Sequence, residues 1–182
     1  MNRVILTPPV LPSSALAELK QWLGITTAHD DAPLQALLGT ALDICAAFTG
    51  KMPLEAECEE MLTAAAGWHS LATRPVLAIT SIEAIALDGS RSMVLGDSYE
   101  VELEADGTGR VRLRERGDWS RVAVRFTAGL AADWDSLPDA LRHGMIRLAA
   151  HQQRQRETEG AAPLPPSAIA ALWRPWQRLR LA

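Results

Sequence analysis

The chain has 182 residues, 48% of them apolar, with 18 Lys and Arg against 22 Asp and Glu for a net charge of −4. That length suits one domain, or one domain with an extension, around a sizeable core. The acidic balance argues against a general nucleic-acid binder, and no run of about 18 apolar residues offers a membrane span.

The opening MNRVILTPPVLPSS is too short and too broken by proline for a signal peptide. Pro8, Pro9 and Pro12 make residues 1–12 an extended arm. Ser13 or Ser14 is then placed to cap a helix over about 14–23, with Leu16, Leu19 and Leu23 at helical spacing and Gly24 as its stop. Asp30 or Asp31 opens a second helix, about 32–49, with Pro33 at its start and Gly50 at its end. Leu34, Leu37, Leu38, Ala41, Cys45 and Phe48 form its core stripe. Residues 51–74 fit a helix or a strand pair equally well. Cys45 and Cys58 form no CxxC pair and have no His cluster nearby, which fits a reduced, intracellular chain.

From Pro75 to residue 127 the character is β. VLAITSIEAIAL runs into the turn signal Asp88-Gly89. Around Asp106-Gly107-Thr108 the flanks alternate strictly: Glu100, Glu102 and Glu104 on one side, Arg110, Arg112 and Arg114 on the other. Folding about Gly107 sets Glu104 opposite Arg110, Glu102 opposite Arg112 and Glu100 opposite Arg114, with Leu103 meeting Val111 and Val101 meeting Leu113. In 121–127, Val122, Val124 and Phe126 are expected inward and Arg121, Ala123 and Arg125 outward, giving one antiparallel sheet with a dry and a charged face.

Residues 137–156 carry the clearest helix. Ser136 and Asp139 have the spacing of a reciprocal cap, and Pro138 sits in the first turn. Leu141, Gly144, Met145 and Leu148 form one stripe, while Ile146 and Ala150 lie almost opposite. A rod of about 30 Å, apolar on two sides, needs two partners; the chain's own core and a second copy are the candidates. TEGAAPLPP then reads as a linker. Residues 167–173 allow two helical turns, and WQRLRLA alternates like a strand able to add to a partner's sheet edge. After Glu159 there is no acid, only Arg174, Arg178 and Arg180, so this end is +3 and the rest −7 (15 against 22). With Trp173 and Trp176 it has the composition of a docking element.

No catalytic, cofactor or metal constellation stands out. Asp133, Asp135 and Asp139 match no Ca²⁺ loop and read as caps. His29, His69, His143 and His151 are scattered, and phosphate loops and nucleophile signatures are absent. The arginines at 110, 112, 114, 121 and 125 suit a DNA-binding face, but glutamates are expected beside three of them.

The order of parts resembles the head–tail connector (adaptor) family of tailed bacteriophages and phage-like gene transfer agents. The resemblance rests on LAELKQWLGI and HDDAPLQALLGTALDICAAFTGK, then RPVLAITSIEAI, then VAVRFTAGLAADWDSLPDALRHGMIRLAAH, and last LPPSAIAAL with WQRLRLA. Gln152 and Gln153 follow His151 where such proteins carry an aromatic residue. It implies a non-enzymatic virion protein at the head–tail interface, made in the bacterial cytoplasm. Copies would form a ring, dodecameric in the particle, beneath the portal protein. That ring would extend the DNA channel without sequence-specific binding and seat a stopper or tail-completion protein. No membrane and no cofactor are implied.

The expected architecture is thus α+β: about three main helices packed with a small antiparallel sheet, between extended N- and C-terminal segments. Residues 1–157 form the connector domain and 158–182 a linker and docking tail. The portal-binding candidates are Trp173, Arg174, Trp176, Arg178, Leu179, Arg180 and Leu181. The inter-subunit candidates are Ile146, Ala150, Arg110, Arg112 and Arg114.

Overall fold

The computed structural model describes residues 3–65, 67–114, 119–155 and 165–177. The chain divides into two compact units, each drawing on two stretches: Met1–Pro9 with Glu55–Leu130, and Val10–Leu54 with Ala131–Ala182. The first is β, the second helical, and the fold class is α+β, with four helices and two antiparallel sheets among the described residues.

In the β unit, β1 (Arg3–Thr7), β2 (Ala56–Thr63), β4 (Val76–Ile85), β5 (Arg91–Met93) and β8 (Arg121–Ala128) form a five-stranded sheet in the order β1-β2-β8-β4-β5. The extended arm is therefore an edge strand, and part of the ambiguous 51–74 stretch is β2. β8 lies between β2 and β4, and Ala123, though on the same face as Arg125, is fully buried. Val122, Val124 and Phe126 are buried as expected, together with Cys58 and Ile82. Each such aliphatic or aromatic side chain contributes about 1.5–3 kcal/mol.

A second sheet, β3-β7-β6, is built from β3 (Trp68–Ser70), β6 (Tyr99–Leu103) and β7 (Gly109–Leu113). The hairpin thus does not extend the sheet that contains β8, as the sequence reading had it. Its register is also two residues away from the expected one: Glu102 faces Arg110, Glu100 faces Arg112 and Val101 faces Val111. The cause is a shorter loop. Glu104 N donates to Thr108 O at 2.9 Å and Gly107 N to Glu104 O at 2.9 Å, so the turn centres on Asp106. Gly107, at φ +80°, takes the left-handed position of a three-residue hairpin loop. A shift of two keeps every side chain on its face, so the charge and apolar alternation survives.

The helical unit holds α1 (Ser13–Leu23), α2 (Asp31–Thr49), α3 (Asp139–Gln155) and α4 (Ser167–Trp173). Gly24 (φ 72°) and Gly50 (φ 70°) end the first two in the left-handed conformation. Leu34, Leu38, Ala41 and Cys45 of α2 and Leu141, Met145 and Leu148 of α3 are fully buried. By length and apolar content alone α2 would pass for a membrane span; its packing against α3 accounts for that stripe as core.

The expected caps form differently. Ser14 Oγ donates to Asp135 Oδ2 at 3.3 Å, and the capping position of α1 is Pro12. Ser136 donates from N and Oγ to Asp133 Oδ1 at 2.8 and 2.7 Å. It is Pro138 O that receives the first N–H groups of α3, from Leu141 and Arg142. Ser136 therefore builds the turn that leads into the helix. Its hydrogen bonds hold the Asp133 carboxyl below the ordinary range.

Candidate interaction surfaces

The charged face of the hairpin is neutralised within the chain. Arg110 reaches Glu104 at 2.9 Å and Glu102 at 3.5 Å, Arg112 pairs with Glu100, and Arg114 approaches Glu100 at 3.1 Å. Arg110 and Arg112 also lie over the Trp68 ring, 5.3 and 5.1 Å from its centroid. These exposed pairs are worth tenths of a kcal/mol each. They leave the three inter-subunit candidates Arg110, Arg112 and Arg114 with partners of their own.

On the five-stranded sheet a tighter network forms around Glu59, whose side chain is almost wholly buried. Arg91 donates to both its carboxylate oxygens, at 2.9 and 3.0 Å, and Arg125 to one at 3.1 Å. Glu83 closes the set, 3.3 Å from Arg91 and 3.4 Å from Arg125. Arg125, read from sequence as an outward arginine, is thus committed to acids. On the opposite face Glu60 accepts from the amides of Ala72 and Thr73 at 2.8 Å each, fixing that loop.

In the helical unit, Ile146 and Ala150 are buried by the chain's own packing. The second apolar side of α3 is therefore largely covered before any second copy arrives. Ile146 forms the floor of a groove of about 790 Å³ between α1 and α3, whose walls include Glu18, Trp22, Arg142 and His143. The rings of Trp22 and His143 meet edge to face at 5.4 Å, a contact absent from the sequence reading.

Trp173 does not stand free. It is fully buried, tilted against Phe48 at 5.8 Å, with Nε1 donating to Leu141 O at 3.4 Å. A Cβ added at Gly144 would sit 2.8 Å from its Cε2. Trp173 is thus the anchor of α4 on α3, which corrects its reading as a free docking residue. Arg174 is exposed. Trp176 is half-buried, with Lys51 Nζ 5.8 Å from its ring. Arg178, Leu179, Arg180 and Leu181 lie outside the described residues.

Burial pushes the Cys45 thiol up to about 12 and raises that of Cys58, so neither is poised as a nucleophile. Among the described residues no three His, Cys, Asp or Glu side chains converge as a metal set. Asp135 and Asp139, proposed as caps, engage Ser14 and Arg142 instead. What sequence reasoning missed lies at the sheet edges, where Val4 on β1, Met93 on β5 and Leu87 and Leu95 beside β5 are exposed. The available signal was the short apolar MVL segment standing alone between two turns.

The geometry defines an α+β scaffold that offers surfaces for protein contacts. No family model matches the chain, and no curated protein shows significant similarity to it. Solved structures do match it, three of them over nearly its whole length. The neck of a native gene transfer agent particle computed with C12 symmetry contains a chain 26% identical, with a TM-score of 0.76, over 98% of this chain and 97% of that one. The virion of a native gene transfer agent particle contains one 25% identical, TM-score 0.73, over 100% and 98%. The neck of an empty particle computed with C6 symmetry contains one 23% identical, TM-score 0.77, over 98% and 97%. The likeness to head–tail connectors read from the sequence therefore holds in three dimensions: this chain is built as a neck protein of a phage-like particle is built.

Proposed function

We propose that the chain is a structural virion protein of the particle neck, a head–tail connector assembled as a ring beneath the portal. The ring prolongs the DNA channel and seats the stopper or tail-completion protein. The observation that carries this reading is the full-length likeness to gene transfer agent neck chains, one of them in a neck computed with C12 symmetry. No catalytic step is assigned to it. Within this reading Arg174, Trp176 and residues 178–181 face the portal, while Trp173 secures the helix from which they extend.

A DNA-binding module using the arginines of the sheets is the competing reading. It is disfavoured by the acidic partners of Arg110, Arg112, Arg114 and Arg125. Mixing the full-length protein with purified portal rings of its particle separates the two. Co-sedimentation, with an added ring of density under the portal in electron micrographs, is the expected result. Submicromolar DNA binding at physiological salt without portal binding overturns the connector reading in favour of the DNA module.

A further inference from the structure

Among the described residues the five-stranded sheet is open at both ends, with β1 at one edge and β5 at the other. Val4 on β1 is 54% exposed and Met93 on β5 is 65% exposed. The registers put both on one face. Val4 stands opposite Glu59, and Glu59 opposite Arg125. Ala123, two residues from Arg125 and so on its face, stands opposite Glu83, which in turn faces Met93. The ion pairs of Arg125 with Glu59 and Glu83 require that same face.

Between the two apolar edges the charges cancel, Glu59 and Glu83 against Arg91 and Arg125. A polyanion or a strongly charged peptide finds no net attraction there, whereas an apolar strand edge of the same pattern does. The backbone agrees. Val94 N donates to Ile82 O and Ser90 O accepts from Ala86 N, so Ser90 and Val94 turn toward β4. By the two-residue alternation of an antiparallel ladder, Arg91 and Met93 direct their amide and carbonyl groups outward. Exposed edges are ordinarily blunted by charge, proline or a covering element. Here β1 offers Val4 and Leu6, and β5 is flanked by Leu87 and Leu95, 90% and 75% exposed.

We propose that the β1 edge of one copy pairs with the β5 edge of the next, so that the five-stranded sheet continues across the subunit boundary. Val4 of one copy then packs beside Met93 of its neighbour. The two edges are different surfaces, so the contact is heterologous and propagates around a ring instead of stopping at a dimer. This seam rests on the ring reading proposed above and names the surface that makes it. It also assigns to the sheet the role expected of Ile146 and Ala150, which the chain itself buries.

The test uses the full-length chain carrying Val4→Cys and Met93→Cys together, assembled on portal rings and oxidised. Native Cys45 and Cys58 are fully buried, which keeps the background low. A ladder of disulfide-linked oligomers from the double variant, and at least tenfold less from either single variant, is expected. Equal cross-linking by a single variant means an isologous contact and overturns the seam. Rings that form on the portal without any cross-link also overturn the seam but leave the connector reading intact. Absence of any ring on the portal overturns both. As a second arm, Met93→Lys lies on an exposed side chain and is expected to keep the circular-dichroism melt while reducing ring formation at least tenfold. Normal ring formation by this folded variant counts against the seam.

Discussion

Position 144 has no side chain because the Trp173 indole occupies the space that one would take. Gly144→Ala gains helix propensity worth about 1 kcal/mol but overpacks the contact at a cost of about 1–3 kcal/mol, so a net loss is expected. Trp173→Ala leaves a cavity and is expected to cost about 3–5 kcal/mol. Because both act on one contact, the double variant should fall short of the sum in urea titrations with unchanged m-values. Glu59 contributes a pH dependence of its own. The Arg91 hydrogen bonds, helped by Arg125 and opposed by burial, hold its carboxyl below the ordinary 4.5. Its stabilisation is complete above 4.5 and is lost as pH falls through the lower folded-state value. Glu59→Gln should therefore destabilise the protein clearly at pH 7 and much less at pH 3, as read from urea midpoints. An equal deficit at both would mean that the carboxylate's charge is not what stabilises. In sequence, Gly144 was legible as part of a buried stripe. Its partner was not, because a tryptophan far along the chain gives no local sign of where it packs.

Among the elements, α1 and α2 were readable because their apolar spacing and glycine stops are local properties, and α3 was readable from its apolar spacing alone. The β2 strand was not. AECEEMLT carries three glutamates in a strand with neighbours on both sides. Those acids are satisfied by Thr7, by Arg91 and Arg125, and by the amides of Ala72 and Thr73, none of which the local pattern reveals. The hairpin shows the opposite balance, since its faces were legible and its register was not. Charge alternation with period two fits any register shifted by two, and the loop length decides between them. A double-mutant cycle can check the result. Replacing Glu100 and Arg112 by Ala singly and together should give a coupling of about 0.2–1 kcal/mol. The same cycle on Glu102 and Arg112, the pair expected from the longer loop, should give less. A larger coupling for the second pair would restore the longer loop.

At the scale of the whole molecule, the chain weaves each unit from two separated stretches, and no composition shift marks where it passes between them. TEGAAPLPP reads as a linker and suggests a boundary at about residue 157. Residues 167–173 beyond it nevertheless belong to the helical unit by packing: Ile169 and Trp173 are buried, and Gln177 Nε2 donates to Phe48 O at 3.1 Å. Two truncations are therefore expected to behave differently. Deleting residues 165–182 removes Trp173, a loss of about 3–5 kcal/mol by itself. At about 2–4 °C per kcal/mol for a chain of this size, the melt should fall by about 6–20 °C. Deleting only residues 178–182 removes Arg178, Leu179, Arg180 and Leu181 but keeps the Trp173 anchor, so the melt should stay within about 2 °C. Under the portal-docking proposal this short truncation still weakens co-sedimentation with portal rings at least tenfold. It does so because two arginines that pair with acids and two leucines that cover apolar surface are lost together. A melt that falls as far with the short truncation as with the long one would put the last five residues in the core. Undiminished portal binding by the short truncation, with its melt intact, would remove the tail from the portal interface.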